Sequence, residues 1–352
     1  MRSFKVTGFG APLEEVVEDA PKPAGSEVLV RVAACGVCHS DVHLREGYFD
    51  LGPDGRLDLS RGLKTPFTLG HEVAGTVVAA GPDVAALPEA VAVGDARLVY
   101  PWIGCGACAT CRAGDEQLCR APRNIGIHAG GGYSDHVMVP HPRYLLPYDD
   151  IPAAEACTYA CSGLTAYGAL KKIGRLGVGD PLVVIGAGGV GLAGVRLAVP
   201  VTGAAAMVAE RAAARRDAAL AAGAASAFDP MEDGAVRRFV KETGGAAAVV
   251  DFVGSAETAR FGFDILRKGG RLVIVGLFGG GLTVPVPHFP LREVTIAGSY
   301  VGSLQDLRDL LALARTGGAG RPAVESHRLH EAEDLLCALA AGRITGRAVL
   351  VP

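Results

Sequence analysis

The sequence predicts an α/β protein built from two modules, one rich in β-strands and one a parallel sheet covered by helices on both faces. Three observations carry that expectation. Residues 1 to about 160 run as short strands broken often by Pro and Gly, at 21, 23, 66, 70, 81 and 82. The texture changes near residue 155 to strand-like and helix-like segments in alternation. One of those strands leads straight into a glycine-rich turn with a helical pattern behind it. A chain of 352 residues, 49% of them hydrophobic, has enough apolar surface for two cores.

In the first module, Glu27 to Ala33, Val73 to Val78 and His136 to Val139 read as strands, and the polar, Gly-containing stretch Asp50 to Lys64 reads as a loop. Further on, Ala166 to Ile173 reads as a helix, Leu182 to Ile185 as a strand, Val190 to Ala198 as a helix and Ala206 to Ala209 as a strand. Arg211 to Ala222 follows as a helix, then strands at Ser226 to Phe228, Ala247 to Val253 and Leu272 to Val275. Leu307 to Ala314 reads as a further helix, and Arg347 to Val351 as a last strand, with the C-terminus expected to rejoin the first module. Strand, crossover, strand is the rhythm of a parallel sheet.

The formal net charge is −3 and no run of Lys or Arg exceeds two residues, so nucleic acid and anionic membranes are not expected partners. The N-terminus has no apolar signal-like core, and the nearest approach to a membrane span, Pro181 to Val201, holds five glycines and Arg196. A cytoplasmic protein is expected. Its 49 glycines have no fixed period, which excludes collagen-like and solenoid folds. Nine cysteines, four of them within fifteen residues, point in a reducing compartment to metal rather than disulfides.

The glycine-rich turn reads Gly186-Ala-Gly188-Gly189-Val190-Gly191. In a dinucleotide site the first glycine permits the tight turn, the second lets backbone approach a pyrophosphate, and the third lets helix and strand pack closely. The helix N-terminus then offers free N–H groups to the phosphate charge. Glu210 lies 19 residues beyond Gly191, at the end of the next strand. A carboxylate there accepts hydrogen bonds from the ribose hydroxyls and repels a 2′-phosphate, which favours NAD over NADP. Arg211, Arg215 and Arg216 work against that preference, and a solvated strand end is the alternative reading of Glu210.

Cys105, Cys108, Cys111 and Cys119 have gaps of two, two and seven residues, a spacing that lets one lobe, about 102–120, wrap a tetrahedral Zn²⁺. The C-x2-C-x2-C run also resembles the start of an iron–sulfur site, but the next cysteine lies too far on. Four protein ligands leave no open position, so this zinc is structural. A second, dispersed set comprises Cys35, Cys38, His39 and His43, then His71-Glu72, then Cys161. Two cysteines and a histidine with an open fourth position make a catalytic zinc site. Spacing alone does not separate such a trio from buried thiols and a core histidine.

Taken together, Cys35-Gly-Val-Cys38-His-Ser-Asp-Val-His43, Gly70-His71-Glu72-x-x-Gly75, the four-cysteine lobe, Gly132-Tyr133-Ser134, Cys161-x-Gly163-x-Thr165-x-Tyr167 and the Gly186 turn resemble the zinc-containing medium-chain alcohol dehydrogenases over nearly the whole chain. The insertion 50–64 resembles bacterial and archaeal tetrameric members. The resemblance implies a GroES-like catalytic domain at 1–161 and 302–352, and a Rossmann NAD-binding domain at 162–301.

It further implies that Cys38, His71 and Cys161 hold the catalytic zinc, with Glu72 beside it as a transient ligand and Asp41 orienting His71. Ser40 would bond the substrate hydroxyl and His43 would relay its proton. His39 and Arg347 would contact the pyrophosphate, with Gly186, Gly188, Gly189, Val190 and Gly191 forming its cradle. Arg215 would lie beside the adenine ribose, and Trp102 and Tyr133 would line the substrate cleft. The implied cofactors are NAD and two Zn²⁺ per subunit. The implied reaction is hydride transfer between a primary or secondary alcohol, aliphatic or aromatic, and NAD⁺, giving an aldehyde or ketone. A polyol or sugar dehydrogenase is the alternative, kept open by Glu155 near Cys161, as is an NADP-preferring aldehyde reductase. The implied assembly is a homotetramer, with a dimer as the alternative.

Overall fold

Val28–Gly36 buries seven of its nine residues, Arg31 and Ala33 being the exceptions, which suits a strand with neighbours on both edges. In the computed structural model, which describes all residues from Met1 to Pro352, it pairs antiparallel with Glu72–Ala80 on one edge and with His136–Val139 and Arg347–Val351 on the other. The last of these pairs parallel to Val324–Arg328, so the C-terminus completes the N-terminal sheet as expected. Ala96–Val99 and Leu145–Leu146 extend the other edge, making seven strands in all.

The second sheet has six parallel strands. Their spatial order is Ser226–Phe228, Ala206–Ala209, Leu182–Ile185, Ala246–Asp251, Leu266–Ile274, Thr295–Gly298. Numbered in sequence, that is 3-2-1-4-5-6, the doubly wound order whose switch point lies between the first and fourth strands. Every residue of Leu182–Ile185 and Ala246–Asp251 is buried, because helices cover both faces there. No helix is long and apolar enough to cross a membrane.

Two differences from the sequence reading matter for function. The 50–64 stretch is not all loop: Tyr48–Asp50 and Arg56–Asp58 form a small antiparallel hairpin turning through Gly52 and Gly55, both at positive φ. Its short period-2 pattern is hidden by polar residues because all of Arg56–Asp58 faces solvent. The helix predicted to begin at Ala166 is the end of a longer element. Ala153–Thr158 continues through a π-turn at Tyr159–Gly163 into Leu164–Ile173.

One core of 67 buried residues runs from Phe4 through Cys38, Cys161 and Leu170 to Val184 and Leu350, so both sheets share it across this element. A smaller core of 11 residues lies on the far face of the parallel sheet, with Phe263 only 1% exposed among Ile185, Val249 and Leu272. Phe263→Ala there should cost about 3–5 kcal/mol of stability by loss of burial and cavity formation. Denaturant titration checks this, and zinc per folded chain should stay unchanged because the metal candidates lie outside that core.

Candidate active site

Cys38 lies two residues beyond the buried strand Val28–Gly36 and caps the helix His39–Glu46. The Asp41 side chain turns back to accept from the Cys38 backbone N–H at 3.0 Å, closing a capping box. His71 stands just before the neighbouring strand Glu72–Ala80. Cys161 sits at the centre of the π-turn, the kind of bulge that re-aims a side chain within a helix. These three elements bring the ligand atoms of Cys38, His71 and Cys161 within 4.8 Å of one another, all three residues buried.

The donor set fits a divalent metal. His71 Nδ1 lies 3.2 Å from Asp41 Oδ1, though out of line for a full hydrogen bond, and Nε2 has no protein partner at all. A buried imidazole nitrogen without a partner is costly unless something else binds it. The two thiols compete for one charge. A hydrogen bond from Cys161 and the nearby His71 hold the Cys38 thiol well below its ordinary range, whereas that interaction and burial push Cys161 well above. A cation removes the conflict by letting both ionise.

The second metal candidate is equally well formed. The sulfurs of Cys105, Cys108, Cys111 and Cys119 also lie within 4.8 Å of one another, with Cys108 and Cys111 at 3.4 Å. Backbone N–H groups of Cys105, Cys111 and Ala121 point at these sulfurs from 3.3 to 3.4 Å, as thiolates require. Buried Glu116 anchors the lobe to the sheet through Arg143 and the Tyr144 hydroxyl, each at 2.7 Å.

The nucleotide turn matches the expected division of labour. Gly186 has φ +88°, and a Cβ on Gly191 would lie 1.9 Å from the Gly186 carbonyl oxygen. A Cβ on Gly188 would meet nothing within 4 Å, which leaves a cradle open above the N-terminus of Gly189–Thr202. Val190 lies in the first turn of that helix. Glu210 is buried and holds the cradle from beneath, accepting from the N–H groups of Ala187 and Ala212 at 2.9 Å each.

Several of the remaining expected site residues have protein partners of their own. Glu72 is not part of the trio: Ser162 N–H donates to its Oε1 at 3.0 Å, and Arg347 pairs with Oε2. The π-turn is what frees that Ser162 N–H. Arg347 uses one nitrogen for this pair, and its Nε has no protein partner. It is buried on Glu72, with its stem packed so closely against Gly189 that a Cβ there would lie 2.3 Å from Arg347 Cδ. Tyr133 is fully buried behind the site, donating to Asp41 Oδ2 at 3.0 Å, so it does not line the cleft. Arg215 donates to the carbonyls of Gly342 and Ile344, tying the nucleotide module to the segment before the last strand.

Trp102 is buried beside the trio. Its ring is 5.2 Å from His71 and its Nε1 donates to the Ala160 carbonyl, while Tyr300 meets it edge-on at 5.7 Å. Ser40 Oγ lies 3.6 Å from Cys38 Sγ. Ser40 and His43 are three residues apart on one helix and share a face. His43 packs against His39 at 5.1 Å, and its Nε2 has no partner. Burial, with the adjacent His39, pushes the His43 imidazole down from 6.5 to about 4.

Three residues escaped the sequence reading. Tyr300 and Phe278 lie outside any motif. Asp251, fully buried, accepts from Val253 and Gly254 N–H and from the Thr258 hydroxyl, and so shapes the loop at the switch point. Its one signal was an acid closing an apolar strand.

Residues 24–150 match the family model described as alcohol dehydrogenase GroES-like domain, and residues 189–316 match the model described as zinc-binding dehydrogenase. The chain is 38% identical to an NAD-dependent alcohol dehydrogenase of Sulfurisphaera tokodaii and 37% identical to one of Saccharolobus solfataricus, covering 100% of both chains in each case. Among solved structures it is similar to the alcohol dehydrogenase of Aeropyrum pernix, with 32% identity, a TM-score of 0.88 and 100% of each chain covered.

Cys38→Ala should remove about half of the bound zinc measured by atomic absorption, because the four-cysteine lobe keeps its full ligand set. In the otherwise intact protein, Asp41→Asn should weaken zinc binding at the Cys38–His71–Cys161 site about 10–100-fold in competition with a chelator. The low His43 value also has a pH signature. Between pH 6.5 and about 4 only the unfolded chain takes up that proton, so stability falls as the pH drops through this window. His43→Gln should lose less stability than the parent over that window and track it above pH 6.5, as read from denaturation midpoints.

Proposed function

Because the chain belongs to the zinc-binding, GroES-like alcohol dehydrogenase family, we propose a division of labour among its own residues for that family's reaction. The protein is an NAD-dependent, zinc-dependent oxidoreductase that interconverts an alcohol with its aldehyde or ketone. The single observation that carries the site assignment is the buried Cys38–His71–Cys161 cluster with an unpartnered imidazole nitrogen. Cys38, His71 and Cys161 hold the catalytic zinc, and Cys105, Cys108, Cys111 and Cys119 the structural one.

Bound zinc supplies Lewis-acid polarisation of the substrate oxygen, and bound NAD⁺ supplies the hydride acceptor. The chain supplies placement and proton transfer. The cradle above Gly188 seats the pyrophosphate at a helix N-terminus, and Glu210 fixes the shape of that cradle. Asp41 orients His71. Ser40 Oγ accepts the alcohol proton and passes one to His43 Nε2, which has no other partner. An imidazole pushed down to about 4 is neutral at pH 7, so its Nε2 is free to accept a proton. Trp102, set against Tyr300, forms an apolar wall that keeps water from the reacting carbon.

Simple aliphatic or aromatic alcohols fit this site better than polyols. Glu155, which kept the polyol reading open, is held by Arg321 through both oxygens, and the third ligand position is a sulfur. The sheet memberships support a catalytic domain of 1–161 and 302–352 around a Rossmann domain of 162–301. The edge strand Thr295–Gly298 and the exposed Val286 and Leu291 beside it in sequence offer one self-complementary subunit contact; a homotetramer needs a second contact besides, and a dimer is the alternative. Nine unpaired cysteines support a cytoplasmic location.

NADH formation by zinc-replete protein, followed at 340 nm on primary, secondary, aromatic and polyol substrates, should show strong turnover on one of the first three groups. Turnover confined to polyols would overturn the substrate class. His43→Gln should lower kcat by about 10²-fold or more with zinc unchanged. An unchanged kcat would place the proton path elsewhere.

A further inference from the structure

Phe278 is 54% exposed, sits in the nucleotide module and belongs to no core, yet its ring stacks on that of His39 at 4.6 Å with 27° between planes. His39 in turn meets His43 edge-on at 5.1 Å, and Phe49 of the small hairpin closes on the other side of His43 at 4.9 Å. The four rings form one row, Phe278–His39–His43–Phe49, with its ends on different modules.

Those ends are joined by backbone. Gly279, beside Phe278, abuts Asp50, beside Phe49: a Cβ on Gly279 would lie 2.5 Å from the Asp50 carbonyl oxygen. On the facing side, a Cβ on Gly52 would lie 2.7 Å from Gly280 Cα. Gly279 and Gly280 have φ of +97° and +98°, where side chains are strained, so the run of three glycines at 279–281 lets the hairpin lie against the nucleotide module with nothing but backbone between them.

We propose that Phe278 is a positioning residue for proton transfer: docking of the 48–58 hairpin onto the 279–281 loop clamps His43 between Phe49 and His39, backed by Phe278, and so aligns the relay only when the two modules are closed. This rests on the assignment of His43 as the relay. His43 Nε2 has no hydrogen bond to hold the ring, so packing is what sets its direction. Aromatic contacts of this kind contribute enough to choose one ring orientation over others. A relay misaligned by an ångström loses rate steeply. The geometry also couples closure over the cofactor to proton transfer, since one side of the clamp is carried by each module.

The experiment is steady-state oxidation of a good alcohol with saturating NAD⁺, in H₂O and in D₂O, for the zinc-replete parent, Phe278→Ala, Phe278→Tyr, Gly279→Ala and His43→Gln. Phe278→Ala should lower kcat roughly 10-fold or more and raise the solvent isotope effect, with zinc content and the KM for alcohol little changed. Phe278→Tyr, which keeps the ring, should restore both. Gly279→Ala keeps all four aromatic side chains but forces the hairpin, and Phe49 with it, away, and should reproduce the Phe278→Ala isotope effect. If His43→Gln is impaired while Phe278→Ala keeps the parent's kcat and isotope effect, the clamp is refuted and the relay stands. A fall in kcat with no change of isotope effect in both Phe278→Ala and Gly279→Ala also refutes it, since the seam would then be merely structural. An undiminished His43→Gln refutes the relay itself.

Discussion

The Asp41 carboxylate is the joint on which the catalytic centre turns. It is wholly buried, and a buried charge has to be met by donors or it destabilises the fold. Its partners come from three separate stretches of chain: the Cys38 backbone N–H, the Tyr133 hydroxyl, and His71 facing its other oxygen. Satisfying that one group therefore fixes the start of the His39–Glu46 helix against the strand that begins at Glu72. Cys38 and His71 are brought together as a by-product. Metal binding then adds to an arrangement already held in place, which is how outer partners sharpen a metal site.

A second buried charge does the same work between the modules. Glu72 is held by Arg347 from the C-terminal strand and by the Ser162 N–H that the π-turn releases. Arg347 also packs against Gly189, at the head of the nucleotide-binding helix. The metal site, the cofactor cradle and the last strand of the chain thus share one ion pair. The return of the chain to complete its first sheet delivers the cation that pairs with the buried Glu72. Arg215, bonded to the carbonyls of Gly342 and Ile344, steadies the same return.

Most of the fold was legible because the local signals are strong. The strand Leu182–Ile185 and the turn behind it carry both an apolar run and a glycine at each sterically demanding position. The four-cysteine lobe is legible because its ligands are near one another in sequence. The hairpin at 48–58 was missed because solvent-facing polar residues erase a strand's alternation. The π-turn was missed because hydrophobic spacing does not register one inserted residue in a buried helix.

The sequence by itself determined which chemistry was available: the ligand types, the glycine turn, and Ser40 and His43 three residues apart. These are properties of short segments, where spacing and side-chain type settle geometry. Tertiary structure decided who partners whom. Glu72 and Arg347, read separately as a metal neighbour and a phosphate contact, are also each other's counter-ion, and Tyr133 lies behind Asp41 instead of in the cleft. The rings of Phe278 and Phe49 met the histidines from opposite modules. Such pairings depend on which buried charges and rings the packing brings within a few ångströms, and residues 275 positions apart, as Glu72 and Arg347 are, carry no local mark of it.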